Sequence, residues 1–271
     1  MTELTTAAID TRDAWVEHPE GPLFARIWTP AAAGPEGPPQ APILLFHDSL
    51  GCVELWRNFP EVLSRATGRQ VIAYDRLGFG RSAPRQDTLA MDFIAQEARS
   101  VVPVLRARLG FERFVALGHS VGGGMAVYCA AAFPEACEAL VTIAAQAFPE
   151  DRTLDGILVA KAQFTDPLQV ERLGRYHGDK ARWVLDAWIE TWTHPEFASW
   201  SLAETLPQVV CPVLAIHGAQ DEYGSARHPE MIGALSSGPA RVEIMPDTFH
   251  VPHREKPEVV VALVAGFLAP A

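Results

Sequence analysis

A chain of 271 residues, 48% hydrophobic and 20% charged, reads as a soluble globular protein of one large domain, or one domain with an insertion. Its net charge of −11 disfavours nucleic acid and anionic membrane surfaces as partners, and it repels strongly anionic substrates at long range. No apolar run approaches the roughly eighteen residues of a membrane span, and Met1–Ala7 lacks the basic and apolar regions of a signal peptide, so the expected location is the cytoplasm.

In chain order, the first expected element is an antiparallel hairpin from Ala14 to Thr29, turning at His18-Pro19-Glu20-Gly21-Pro22. A connector rich in Pro, Gly and Ala runs from Pro30 to Pro42. The run Ile43-Leu44-Leu45-Phe46 has the continuous apolar character of a strand buried on both faces. A helix is expected over Leu55 to Ala66, a second buried strand at Val71 to Tyr74, and a longer helix from Ala90 to Leu109, bent near Pro103. The strand beginning at Phe114 leads into a small-residue helix (Met125 to Ala132), and Ala139 to Ala144 is the next strand. The alternation then stops: residues 147–207 read as helices only, with Trp183, Trp188, Trp192 and Trp200 close together. It resumes with the strand Pro212 to His217, a helix near His228 to Ser236, the strand Arg241 to Met245 and a helix from Pro257 to Leu268. This rhythm implies right-handed crossovers and a mostly parallel, mixed sheet of class α/β. Residues 1–146 and 208–271 form its core, and residues 147–207 form a helical cap inserted between two strands.

The four cysteines, Cys52, Cys129, Cys137 and Cys211, have no metal-ligand spacing; three fall in segments that read as core, and all read as free thiols in a reducing compartment. No His, Cys, Asp or Glu spacing resembles a metal site. The stretch Gly78-x-Gly80-x-x-Ala83 mimics a dinucleotide fingerprint, but Pro84 follows at once where a helix would have to begin. Gly118 to Gly124 lacks the lysine of a phosphate loop. Neither cofactor nor metal is expected.

The chemistry concentrates at Gly118-His119-Ser120-Val121-Gly122, which follows an apolar strand and opens a helix. A nucleophile elbow requires this context: Ser120 sits at an unfavourable backbone angle, and glycines at 118 and 122 relieve crowding about the turn. A serine hydroxyl needs a base to remove its proton and an acid to orient that base. Loops after the resumed strands offer Asp221, with Glu222 as the alternative acid, and His250, in competition with His253, His217 and His228. The order Ser120, Asp221, His250 is that of an elbow serine with its partners. Asp75, at a strand end, reads as an ion-pair partner of Arg76 or Arg81.

Together, His47-Asp48-Ser49-Leu50-Gly51, Asp75-x-x-Gly78-x-Gly80-x-Ser82, the elbow, His217-Gly218-x-x-Asp221 and His250-x-x-x-x-Glu255-x-Pro257 resemble the α/β-hydrolase-fold serine hydrolases over nearly the whole chain. The resemblance implies an eight-stranded, mostly parallel mixed sheet flanked by helices, a Ser120-His250-Asp221 triad, and an oxyanion hole made by the backbone amides of Ser49 and Val121. Asp48 stands where most members have glycine, and Ser49-Leu50-Gly51 is similar to enol-lactonases. Trp56, His119, Trp183, Trp188 and Trp192 are candidate substrate contacts, the tryptophans of 147–207 being equally readable as the cap's own core; His253 reads as structural. The expected substrate is a small to medium apolar ester or lactone. Carbon–carbon bond hydrolysis and cofactor-free haloperoxidation are the alternatives on the same fold, and a non-catalytic small-ligand sensor is the alternative from another class. The partner is a small molecule; self-association, as a homo-oligomer, is left open.

Overall fold

The short apolar runs become the centre of the sheet. In the computed structural model, which describes residues 8–31 and 40–269, β3 (Ile43–Phe46), β4 (Val71–Tyr74), β5 (Phe114–His119) and β7 (Val213–Gly218) are buried at every position, and β6 (Cys137–Ile143) at all but one. Alternate residues enter two separate cores. Leu44, Phe46, Ile72, Tyr74 and Ala116 face one, and Ile43, Leu45, Val71, Ala73, Val115 and Leu117 the other, as the two-residue period of a strand requires. The first core is shared with α4 (Val121–Ala132) and the helices before it; the second with α1 (Phe59–Thr67) and α10 (Pro257–Leu268).

The eight strands run in the order β1-β2-β4-β3-β5-β6-β7-β8. β1 (Ile9–Val16) pairs antiparallel with β2 (Leu23–Pro30), and β2 with β4; every other pairing is parallel, out to β8 (Ala240–Met245) at the far edge. The hairpin begins at Ile9, earlier than Ala14, because the outer edge strand carries Asp10, Arg12 and Asp13 on exposed positions and lacks the apolar alternation that marks a strand. The leader region 1–7 and most of the 30–42 connector lie outside the described residues.

Two helices differ from expectation. Leu55 falls in a 3₁₀ turn (Val53–Trp56), and α1 starts afresh at Phe59 with Pro60 in its first turn, where a missing N–H is tolerated. The Ala90 to Leu109 helix is α2 (Phe93–Gln96), a π turn (Glu97–Val101) and α3 (Val102–Leu109). Pro103 therefore lies in the first turn of α3, and the irregularity precedes it. Between β6 and β7, residues 147–207 contain α5 (Asp151–Gln163), α6 (Pro167–His177), α7 (Ala181–Trp192) and short 3₁₀ turns, with no strand. Then come α8 (Arg227–Leu235) and α9 (Pro252–Glu255). Among the described residues no helix is long and apolar enough to cross a membrane, and all four cysteines are buried free thiols.

Candidate active site

Because β3, β5, β6, β7 and β8 are parallel, their carboxyl ends lie along one edge, and the loops leaving them converge there. Ser120, between β5 and α4, has φ 56° and ψ −126°, an angle that non-glycine residues rarely adopt. Its amide donates to Ile143 O at 2.9 Å, and its carbonyl accepts from Gly123 N at 2.9 Å, which pins the turn. The glycines are required by main chain. A Cβ on Gly118 would stand 2.0 Å from Gly122 O, and one on Gly122 would stand 2.1 Å from Phe46 O.

His250, on the loop after β8, places Nε2 3.0 Å from Ser120 Oγ. Its Nδ1 lies 2.9 and 2.8 Å from the two carboxylate oxygens of Asp221, on the loop after β7. A carboxylate only accepts, so Nδ1 carries the hydrogen and Nε2 presents a lone pair to the serine. The Asp221 carboxylate is further held by the amides of Tyr223 (2.8 Å) and Gly224 (3.2 Å). Burial pushes Asp221 up, yet the hydrogen bond and charge of His250 outweigh it and hold the carboxyl below its ordinary range. Burial pulls His250 down, but the bond to Asp221 and the charges of Asp221, Glu222 and Asp48 raise it above its ordinary value of 6.5. The Glu255 carboxylate accepts from Phe249 N (2.7 Å) and Val251 N (2.9 Å), the amides on either side of His250. The His250-x-x-x-x-Glu255 spacing is thus a main-chain brace.

The competing residues lie elsewhere. His253 is buried among Trp56, Phe59 and His119, its ring 4.9 Å from Trp56 and 4.6 Å from His119. His228 is buried between the Glu150 carboxylate (3.0 Å) and the Ala147 amide (3.1 Å). His217 sits behind Asp221, with Nε2 3.1 Å from Gly224 O. Asp75 makes no ion pair with Arg76 or Arg81. Its carboxylate accepts from the amides of Val53 (2.6 Å) and Arg81 (2.7 Å), and burial raises it to about 6. Gly80 is glycine because a Cβ there would meet that carboxylate at 2.1 Å.

Asp48 shapes the loop after β3. Its Oδ1 accepts from Leu50 N at 2.9 Å, closing a side-chain turn around Ser49. Its carbonyl accepts from His47 Nδ1 (2.8 Å), Arg76 Nη2 (2.9 Å) and Gly51 N (3.2 Å). Where a glycine would leave the loop to its own main chain, this residue fixes it. The amide of Val121 belongs to the first residue of α4, and such amides have no partner inside their helix.

A cavity of about 270 Å³ opens at Ser120 and His250. Leu50, Ile157, Trp188, Trp192, Tyr223 and Val251 supply its apolar lining, and Asp48, Ser49, His119, Gln146, Thr153 and Glu222 its polar part. Trp188, Trp192 and His119 are thus among the lining residues. Trp56 and Trp183 do not line it: Trp56 is buried behind the loop against Phe59 and His253, and Trp183 packs on Phe79 and Gly78 while donating Nε1–H to Asp87 O at 3.0 Å. Gln146 was not foreseen, yet its Oε1 lies 3.2 Å from Ser120 Oγ. Tyr223 was missed too; its ring is 4.7 Å from that of His250. Their positions, at the end of β6 and two residues past Asp221, were the available signal. Among the described residues no three His, Cys, Asp or Glu side chains are grouped to hold a metal ion.

The α/β-hydrolase-fold family matches residues 41–186, just over half of the chain. The chain belongs to the α/β-hydrolase fold family. Among relatives, it is 28% identical to the human serine hydrolase BPHL over 205 residues, 73% of this chain and 69% of that protein. It is 36% identical to the 1-acylglycerol-3-phosphate O-acyltransferase ABHD5 of Sus scrofa over 111 residues, 40% of this chain; the match spans about a third (31%) of that relative's length. Solved α/β hydrolases superpose over nearly the whole length. The 2-hydroxy-6-oxo-6-phenylhexa-2,4-dienoate hydrolase of Rhodococcus sp. strain RHA1 has a TM-score of 0.75 at 15% identity, covering 96% of this chain and 99% of that one. The enol-lactonase of Burkholderia xenovorans LB400 has a TM-score of 0.70 at 19% identity, covering 94% and 99%.

Proposed function

We propose that this α/β-hydrolase family member is a serine hydrolase of small to medium, uncharged carboxylic esters or lactones. The observation that carries this reading is the 3.0 Å contact of His250 Nε2 with Ser120 Oγ, backed by the two-oxygen contact of Asp221 with Nδ1. In the reaction, His250 takes the Ser120 proton as Oγ attacks the acyl carbon, and the amides of Ser49 and Val121 hold the oxygen that becomes negative. The imidazolium, stabilised by Asp221, returns the proton to the departing alcohol. Water, activated by the same histidine, then releases the acid. Residues 147–207 act as the cap, since α5 and α7 supply Ile157, Trp188 and Trp192 to the cavity lining.

The cavity lining supports this reading over carbon–carbon bond hydrolysis of a dienoate. Apart from the paired Asp48 and His119, its charged residue is the carboxylate Glu222, with neither Lys nor Arg in the lining, and a carboxylate substrate would enter against like charge. The test compares short-chain p-nitrophenyl esters with a ring-fission dienoate. Faster turnover of the esters is expected, with labelling by a fluorophosphonate probe. A folded Ser120→Ala variant should lose labelling and at least about 10⁴-fold in kcat; a variant that still labels would sink the assignment.

A further inference from the structure

His119 is held between two loops that each carry part of the candidate site. Its Nε2 lies 2.8 Å from the main-chain carbonyl of His250, and its Nδ1 lies 3.2 Å from Asp48 Oδ2. A carbonyl only accepts, so Nε2 bears the hydrogen. A neutral ring would then turn a bare Nδ1 toward a carboxylate, and both groups would be acceptors. The contact requires one more proton, held by the pair. Asp48 is fixed from its other side, because Oδ1 accepts from Leu50 N at 2.9 Å. Burial pushes the Asp48 carboxyl up, but the hydrogen bond and charge of His119 and the charge of Arg254 prevail and hold it well below the usual carboxylate range.

We propose that Asp48 and His119 form a one-proton clamp that positions the His250 loop against the oxyanion loop. The clamp rests on the reading of Ser120 and His250 given above. It runs from Leu50 N through Asp48 and His119 to His250 O, and so joins the loops after β3 and β8 across the end of β5. Both are positioning residues, acting through Ser49 and His250. A glycine at position 48 could supply neither the turn around Ser49 nor the link to His119.

Other titratable and charged groups surround the pair. Asp48 is faced by His47, Arg76 and Arg254, and its loop by His177, whose Nε2 lies 3.0 Å from Leu50 O. His119 is faced by His253 and His250, with ring centres at 4.6 and 5.1 Å. Burial drives His47 and His253 well below the ordinary histidine range and His177 to about 4, so all three are already neutral where His250 works. The arginines remain cations. Burial pushes Cys52 to about 12 and raises Tyr223, so both stay protonated. Without a proton between them, Asp48 Oδ2 and the bare Nδ1 would be two acceptors with no bond to join the loops.

Asp48→Asn separates this from a merely structural role. Its amide can accept from Leu50 N and donate to Nδ1 of a neutral His119, satisfying every partner without the extra proton. The experiment measures kcat and KM for p-nitrophenyl butyrate from about pH 5 to about pH 10, on wild type, D48A, D48N, H119A and D48A/H119A, with folding checked by thermal melts. D48A and H119A should each lower kcat roughly ten- to a hundredfold with KM little changed. The double variant should be no slower than the slower single one, since two parts of one device do not add. D48N should keep most of kcat, because its amide rebuilds both bonds. A D48A variant with the wild-type kcat, losses that multiply in the double variant, or a D48N variant as slow as D48A each overturns the clamp. If the alanine variants do not fold, Asp48→Leu, which keeps the volume without either hydrogen bond, takes their place, and a wild-type kcat in it overturns the clamp. Turnover by Ser120→Ala would remove the underlying reading and the clamp with it, whereas failure of the D48N comparison removes only the clamp.

Discussion

The elbow at Ser120 and helix α7 both reach the same cavity, but they are specified by different physics. At the elbow the constraint is main chain against main chain: a Cβ at Gly122 would stand 2.1 Å from Phe46 O, and Ser120 sits at φ 56°. Such contacts admit one residue type. On α7, Trp183 and Trp188 are the same residue on one helix, yet one packs on Phe79 and the other lines the cavity. Their orientation depends on what lies opposite, which the helix itself does not encode. A site can therefore be rigidly specified in its chemistry and loosely specified in its specificity.

The largest expected effect breaks the elbow side of this comparison. Gly122→Ala should lower the rate of fluorophosphonate labelling by at least about 10³-fold and destabilise the fold by roughly 3 kcal/mol, because neither Phe46 nor α4 can retreat. Urea unfolding and probe kinetics measure both; wild-type labelling would show that the elbow has room. On the α7 side, Trp188→Ala and Trp183→Ala should part company. The first should raise KM for aryl esters about tenfold with little change in stability, and the second should leave KM alone and cost about 2 kcal/mol of stability through lost packing. Equal KM values for the two variants would erase the distinction. The smallest effect is electrostatic. A general base must be neutral, so kcat/KM should rise with pH through a midpoint above 6.5, since Asp221, Glu222 and Asp48 favour protonated His250. Glu222→Gln removes one of those charges and should move the midpoint down; an unchanged midpoint would assign the shift to Asp221 and Asp48 alone.

What could be read from the sequence follows the same division. β3 to β7 were legible because strands buried on both faces are short unbroken apolar runs, and the elbow because its glycines answer steric demands confined to a few residues. The outer part of β1 was not, since an exposed edge strand with Asp10, Arg12 and Asp13 lacks a periodic signal. Ser120, Asp221 and His250 could be named from loop position and order. Gln146 and Tyr223 could not, because contact with the serine or with His250 depends on how neighbouring loops lean. Trp56 and Trp183 were placed at the cavity on proximity in sequence alone, and their ring partners in three dimensions drew them away.

The hydrogen bonds from α5 to the loop after β7 have a bearing on motion. Arg152 donates to Asp221 O at 3.0 Å and Thr153 to Tyr223 O at 2.6 Å, while Glu150 holds the Ser225 amide at 2.9 Å. The first turn of α5 is thus riveted to the segment that carries the acid. Any opening of the helical segment that began there would draw Asp221 away from His250. Substrate passage that preserves those contacts must therefore hinge nearer α6 and α7, and amide exchange should be slower along α5 than along α6.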